Sequence, residues 1–138
     1  MKLMQKIPIQ LSSYLALADA VVITDKNHII VDINEQYENI TGYSRNRIVG
    51  LKAGFLKSKL TPKSTHKSLK YELQQNKPWS GVLINRKKSG ELWHSSITIT
   101  PVVIEGCTYY IGVFRELEQL QQGIYISEDK KWKRKGNC

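Results

Sequence analysis

Apolar residues recur along the chain at two spacings, and each change of spacing marks a boundary between elements. From Ile9 to Ala20 (IQLSSYLALADA), Leu11, Tyr14, Leu15 and Ala18 fall at helical intervals and predict a short amphipathic leading helix. Two β-branched runs follow, VVIT and IIVDI, parted by the polar DKNH, and read as a hairpin. Asn34 then caps a helix, NEQYENIT, that turns Tyr37 and Ile40 inward and stops at Gly42. Ser44 opens a further turn closed by Gly50, and LKAGFLKSKL carries no sustained period. At Thr61 and Pro62 a capping hydroxyl precedes a proline suited to the first helical position. The helix they predict, PKSTHKSLKYELQQN, spaces Leu69 and Leu73 four apart and runs out near Asn76. Three strands complete the pattern: Trp79 to Arg86, Glu91 to Pro101 after the turn KKSG, and CTYYIGVFREL after the turn IEG.

Strands segregated from helices in this way predict an α+β fold, an antiparallel sheet with helices on one face. The chain of 138 residues is long enough for one such domain and short for two. The expected division is a leading helix over residues 1–20, a core over 21–118, and a basic linker or tail over 119–138, where composition turns polar and basic.

Alternation assigns faces within the long hairpin. On the return strand Trp93, Ser95, Ile97 and Ile99 share one face, and the uniformly polar His94, Ser96, Thr98 and Thr100 share the other. The first set therefore faces the core and the second faces water. On the outgoing strand both faces, Trp79/Gly81/Leu83/Asn85 and Ser80/Val82/Ile84/Arg86, are partly apolar, so parity leaves its orientation open. With the Trp79 face inward, Asn85 and Ser95 become polar groups of the interior. A buried amide without a partner costs about 1–3 kcal/mol. Asn85 then either satisfies backbone near the turn or, with Ser95, meets the polar edge of a bound planar molecule.

Composition changes this picture little. An apolar content of 41% and a charged content of 24% are ordinary for a globular domain. No apolar run reaches the ~18 residues of a membrane span, and the N-terminus lacks signal-peptide features, so a cytoplasmic protein is expected. The net charge of +9 would suggest nucleic acid. It is concentrated, however, at Lys130, Lys131, Lys133, Arg134 and Lys135 and in the turn at Arg86, Lys87 and Lys88. Neither group accompanies a recognition helix or an RNA-stacking motif, which disfavours a nucleic-acid partner. Cys107 and Cys138, the only cysteines, give neither a disulfide framework nor a metal site. No phosphate loop or nucleophile-base-acid spacing is present. Asp19, Asp25, Asp32, Glu35 and Glu38 flank turns and helix starts, with Asp25 and Asp32 read as turn formers. A non-catalytic module is expected.

The segments ITD, IIVDIN, TGYS, IVG, PWSGVLINRKKSGELW, ITP and YYIGV stand in an order and spacing that resembles a PAS (S-box) sensory domain over residues 14–118. TPKSTHKSLKYELQQNKPWSGVLINRKKSG is similar, without a gap, to the helix-to-hairpin region of the NifL-type flavin-binding subtype. The resemblance implies a five-stranded antiparallel sheet with short helices on one face, enclosing a cavity that could hold FAD. It implies Asn85, Trp79, Ser95, Leu83, Trp93, Phe114, Tyr37 and Phe55 as cofactor-contacting residues, although Trp79 is often a core residue in such domains. Inward bulk at Trp79, Trp93, Tyr110 and Phe114 could instead fill the cavity and leave a ligand-free interaction or dimerisation module.

The light-sensing LOV branch carries a reactive cysteine in GxNCRFLQ. Here GLKAGFLK places Ala53 in the thiol's position, and Ser95 and Phe114 replace an asparagine and a glutamine, so cysteinyl-adduct photochemistry is excluded. His66 is the one histidine placed like a haem ligand, and its polar neighbours disfavour haem; His28 in a turn and His94 on the polar face are not ligands. A PAS module relays its state to a homodimer partner or to an output domain such as a kinase, cyclase or phosphodiesterase. Where relatives often carry an Asp-x-Thr step after the last strand, this chain has Glu116-Leu117-Glu118. Leu11, Tyr14 and Leu15 would pack across the sheet or against a second copy.

Overall fold

The computed structural model describes residues 7–117, so the basic tail expected at 119–138, Cys138 included, lies outside the described residues. Five strands form one antiparallel sheet: β1 (Ala20–Asp25), β2 (Ile30–Ile33), β3 (Trp79–Arg86), β4 (Leu92–Ile104) and β5 (Cys107–Glu116). Their spatial order is β2-β1-β5-β4-β3. The helices are α1 (Ile9–Ser12), α2 (Glu35–Thr41), α3 (Arg45–Ile48) and α4 (Lys63–Gln74), with single 3-10 turns at Ser13–Ala16 and Ala53–Leu56. Among the described residues no helix is long and apolar enough to cross a membrane.

Asn34 ties the N-terminal half together. Its Oδ1 accepts from the Tyr37 amide at 3.1 Å, capping α2 as expected, and from the Val21 amide at 2.9 Å. Its Nδ2 donates to the carbonyls of Leu17 (3.3 Å) and Asp19 (2.8 Å). Those bonds draw the chain out straight before β1, which is why the leading helix ends at Ala16 rather than continuing to Ala20. Gly42 ends α2 in the left-handed conformation at φ 81°, where a side chain would be strained.

Two expected roles for polar residues are corrected. Thr61 does not cap α4; Pro62 takes the cap position without a side-chain bond. The Thr61 hydroxyl instead accepts from the Ile84 amide at 2.8 Å and reaches the Ile84 carbonyl at 3.1 Å, while the Ser58 hydroxyl also donates to that carbonyl. Because β3 is an edge strand, Ile84 has backbone groups with no ladder partner, and these two hydroxyls supply one. Asp32, likewise, is no turn former. It lies within β2, accepts from the Ile33 amide and pairs with the Arg45 Nε of α3. Asp25 does form the turn, accepting from the amides of Asn27 (2.8 Å) and Ile29 (3.1 Å) around His28 at φ 63°.

The sheet separates two cores. On its inner face Ala20, Val22, Tyr37, Leu83, Trp93, Ile97 and Phe114 pack with α2, α3 and α4. On its outer face Val21, Ile23, Val31 and Ile111 are covered by Leu11, with Tyr14 and Leu15 alongside. The leading segment thus packs across its own sheet, and that half of the outer face is dry. The other half is wet at Thr98 but not at His94, which is only 9% exposed beside Ile84 and Pro62. A polar strand face was therefore not a guide to solvent at His94, because the start of α4 reaches over the sheet edge there.

Candidate functional site

A cavity of about 540 Å³ lies between the inner face of the sheet and the segments that cross it. Its floor comes from four strands: Val22 and Thr24 of β1, Tyr110 and Gly112 of β5, Ile97 and Ile99 of β4, Leu83 and Asn85 of β3. Its roof is the 3-10 turn, with Ala53, Gly54 and Phe55, and the face of α4 that carries His66, Leu69 and Leu73. Leu69 and Leu73 line it because their four-residue spacing keeps them on one helix face. Gly112 is required here: a Cβ would stand 2.9 Å from Val22 Cγ1 and 3.4 Å from Phe114 Cε1.

One end of the inner face is solid. Tyr37 meets Trp93 edge-on at 5.9 Å between centroids and Phe114 at 5.8 Å, and Trp93 lies 4.8 Å from Phe114. Burial pushes the Tyr37 phenol far above its ordinary pKa, so it stays protonated. The bulk that could have filled the interior is thus gathered at one end, and a cavity in the size range of small-molecule sites remains.

Of the eight residues expected to contact a cofactor, Asn85, Leu83, Phe114, Tyr37 and Phe55 line the cavity. Trp79, Ser95 and Trp93 do not. The Trp79 indole lies over Gly81, where a Cβ would stand 2.4 Å from Cζ2, and its Nε1–H donates to Ser68 Oγ at 3.2 Å, pinning α4 to β3. Ser95 is sealed, its hydroxyl reaching the Leu83 carbonyl at 3.4 Å. Trp93 belongs to the aromatic cluster and is 1% exposed. All three face inward, but alternation fixes only the face, not the position relative to the void.

Sequence reasoning passed over several lining residues. Thr24 is 3% exposed, and its Oγ1 has no hydrogen-bond partner among the described residues. Its parity with Ala20 and Val22 carried the signal. His28 stacks on Tyr110 at 4.9 Å and 9°, a pairing set by the β1–β5 register that puts Thr24 opposite Tyr110. Lys52, Lys57 and Lys70 stand at the rim. His28 is held below its ordinary pKa by burial and then by Lys52 and Lys70, against the pull of Asp25. His66 is lowered by burial and then by Lys57 and Lys70.

Ala53 places a methyl group on the cavity wall, while Cys107 is exposed at the start of β5 and outside the lining. Among the described residues no group of histidines, cysteines and carboxylates is arranged to hold a metal ion.

A sequence profile of the PAS domain family matches residues 18–119. The blue-light photoreceptor of Listeria innocua is 28% identical over 101 residues, which span 70% of this chain and 40% of that protein. The nitrogen fixation regulatory protein of Klebsiella oxytoca is 33% identical over 84 residues, 61% of this chain and 17% of that one. Among solved structures, the chain is similar to one from a study of light-oxygen-voltage domain mechanism with a flavin analogue. That match has a TM-score of 0.76 at 17% identity and covers 88% of this chain and 94% of the other. The LOV domain of the Erythrobacter litoralis EL346 blue-light activated histidine kinase gives 0.69 at 23% identity, covering 75% and 99%.

Proposed function

The chain belongs to the PAS domain family, and from that premise we propose a non-catalytic sensory module that holds a flavin, FAD or a related flavin nucleotide, non-covalently in its cavity. The observation that carries this reading is an apolar slot whose floor holds a buried hydroxyl without a partner and, across the slot, a half-buried carboxamide. The Thr24 hydroxyl is buried without a partner among the described residues, and the Asn85 carboxamide lines the cavity half-buried. A buried hydroxyl left alone costs about 1–3 kcal/mol, which a bound ligand would recover.

Geometry narrows the ligand's shape. Thr24 and Asn85 stand on strands separated by three inter-strand steps, about 14 Å at ~4.8 Å each. A molecule that reaches both must be long, and the aliphatic walls of Leu83, Ile97, Ile99 and Leu69 favour a flat apolar body. Asn85 offers a donor and an acceptor side by side, matching a ring edge where carbonyls and N–H groups alternate. A flavin supplies visible absorption and electron transfer when bound. The flavin analogue and blue-light receptor named among the similar proteins point the same way. With a methyl group at Ala53, this chain's wall would contact the ring without bonding to it.

The chain spans 40% and 17% of the two relatives' lengths, so output belongs to whatever it joins or binds. We place the sensory core at residues 21–118, preceded by the leading segment and followed by a basic connection at 119–138. A cytoplasmic homodimer, or a link to a kinase-type output domain, completes the proposal. The absorption spectrum of freshly purified protein tests it. Flavin bands, with flavin released on denaturation, support it; a Soret band would move the reading to haem at His66. Protein that is colourless and fails to take up added FAD or FMN overturns it.

A further inference from the structure

The open edge of the sheet is guarded along only part of its length. At Ile84 the outward backbone groups of β3 are taken by the hydroxyls of Thr61 and Ser58, and Lys57 bridges to Asn85. Alternate residues of a strand turn their N–H and C=O to the same side, so Ser80 and Val82 face the open edge as Ile84 does. No described residue bonds their backbone from that side. Edge strands are usually blunted by charge, proline or a covering segment, and Ser80-Gly81-Val82 has none of these. Beside it runs a groove of about 360 Å³, walled by Ser64, Thr65 and Ser68 of α4 and reaching His94. The bond from the Trp79 indole to Ser68 holds α4 along this edge. No lysine, arginine or carboxylate lines the groove.

We propose that residues 123–127 of this chain's own tail, GIYIS, dock in the groove as a sixth strand, antiparallel to β3. The chain leaves the sheet beside the groove: the Leu117 amide donates to the His94 carbonyl at 2.9 Å, and His94 lines one end of it. From β5 to a strand added outside β3 is three inter-strand steps, about 14 Å at ~4.8 Å each. Ile124 follows Leu117 by seven residues, which extend to ~23 Å at ~3.3 Å each, so the tail reaches. Entering from the His94 end, opposite Ile84, it runs toward Ser80 and so against the direction of β3. Charge selects the same stretch. From residue 128 the tail reads EDKKWKRKGNC, whose charges a neutral groove would strip of water. GIYIS carries no charge, and its β-branched and aromatic residues suit a strand. With α4 flanking the edge, a single extended chain fits where the sheet of a second copy would meet the helix. Leu69 and Leu73 of α4 line the cavity while Ser64, Thr65 and Ser68 wall the groove, so the docked tail and the cavity lie on two faces of one helix.

Amide hydrogen exchange in the full chain, followed residue by residue by NMR, tests the docking without any cavity ligand. The Ser80 and Val82 amides should exchange about tenfold more slowly, or better, in the wild-type chain than in Ile124→Asp/Ile126→Asp. Gly81, whose amide faces β4, should exchange alike in both and so reports that the sheet is intact. Lys133→Gln/Lys135→Gln, altered beyond the docked run, should keep the wild-type protection. Equal exchange at Ser80 and Val82 in the wild type and the isoleucine variant overturns the proposal. Protection that disappears on dilution also overturns it and assigns the edge to a second copy. Equal loss in the lysine variant overturns it as well, since the tail's charge rather than the GIYIS run would then hold the contact.

Discussion

The inner face of the sheet is built in two ways within a few residues. Around Tyr37, Trp93 and Phe114 it is solid, with ring faces and edges in contact and almost no exposure. Around Thr24, Gly112 and Asn85 it is hollow. Interiors are ordinarily packed as densely as organic crystals, and a void forfeits the contacts its lining atoms would make. The solid end therefore has to supply the stability that the hollow end gives up. The contrast also explains why bulky inward residues did not exclude a ligand site: their bulk is stacked against itself.

The largest effect should come from the solid end. Trp93→Ala removes the ring that contacts both Tyr37 and Phe114 and should cost about 3–5 kcal/mol, read as a lower urea midpoint at unchanged slope. A loss below about 1 kcal/mol would mean that this end is no more structural than the other. Asn85→Leu should do the reverse. Its carboxamide lines the cavity half-buried, so stability should change little, while affinity for FMN falls about 5- to 100-fold, one amide's worth of hydrogen bonding to the ligand. A variant that unfolds but binds normally would return Asn85 to a structural role.

A third substitution sharpens the contrast at a single atom. Thr24→Val keeps the shape and deletes the partnerless hydroxyl, so the ligand-free protein should gain up to about 1 kcal/mol while ligand affinity drops several-fold. Gain on one side and loss on the other is the signature of a polar atom kept for a ligand. Equal stability with and without the hydroxyl, and equal affinity, would make Thr24 incidental.

These residues also mark how far the sequence could be read. Strand alternation assigned Trp93 and Ser95 to the inner face, because a one-residue slip would have put His94 and Thr98 there, but it left the orientation of Leu83 and Asn85 open. It could not separate Trp93 from Phe114, since the solid end and the cavity wall draw on the same residue types at the same parity. Thr61 carried the local signature of a helix cap, yet the demand that claimed its hydroxyl came from Ile84, 23 residues away on an edge strand. The basic rim of the cavity was invisible for a related reason. His28, Lys52, Lys57, His66 and Lys70 belong to segments with no common motif, and only the β1–β5 register and the lie of α4 bring them together.

The smallest expected effect tests that rim in the absence of any ligand. His28 and His66 are both lowered from their ordinary pKa, so the folded state holds them neutral where the unfolded chain, near pH 6.5, begins to bind protons. Stability contributed this way is complete above about pH 6.5 and is lost as pH falls toward the folded values, because the unfolded state then binds more protons. Lys52, Lys70 and Asp25 face His28, and Lys57 and Lys70 face His66, so the net surroundings oppose charging at both sites. His94, lowered by burial, adds to the same trend. The comparison is between the wild-type chain and His28→Asn/His66→Gln, asparagine being tolerant of the positive φ at residue 28. Between about pH 7 and about pH 5.5 the wild-type urea midpoint should fall further than the variant's, by a modest margin because both rings are partly exposed. Carboxylates that titrate in the same range are common to both proteins and cancel in the difference. If the ligand-free wild type instead gains stability over the variant on acidification, the five basic groups do not act on one another, and the hollow end has lost the electrostatic feature that most distinguishes it from the solid one.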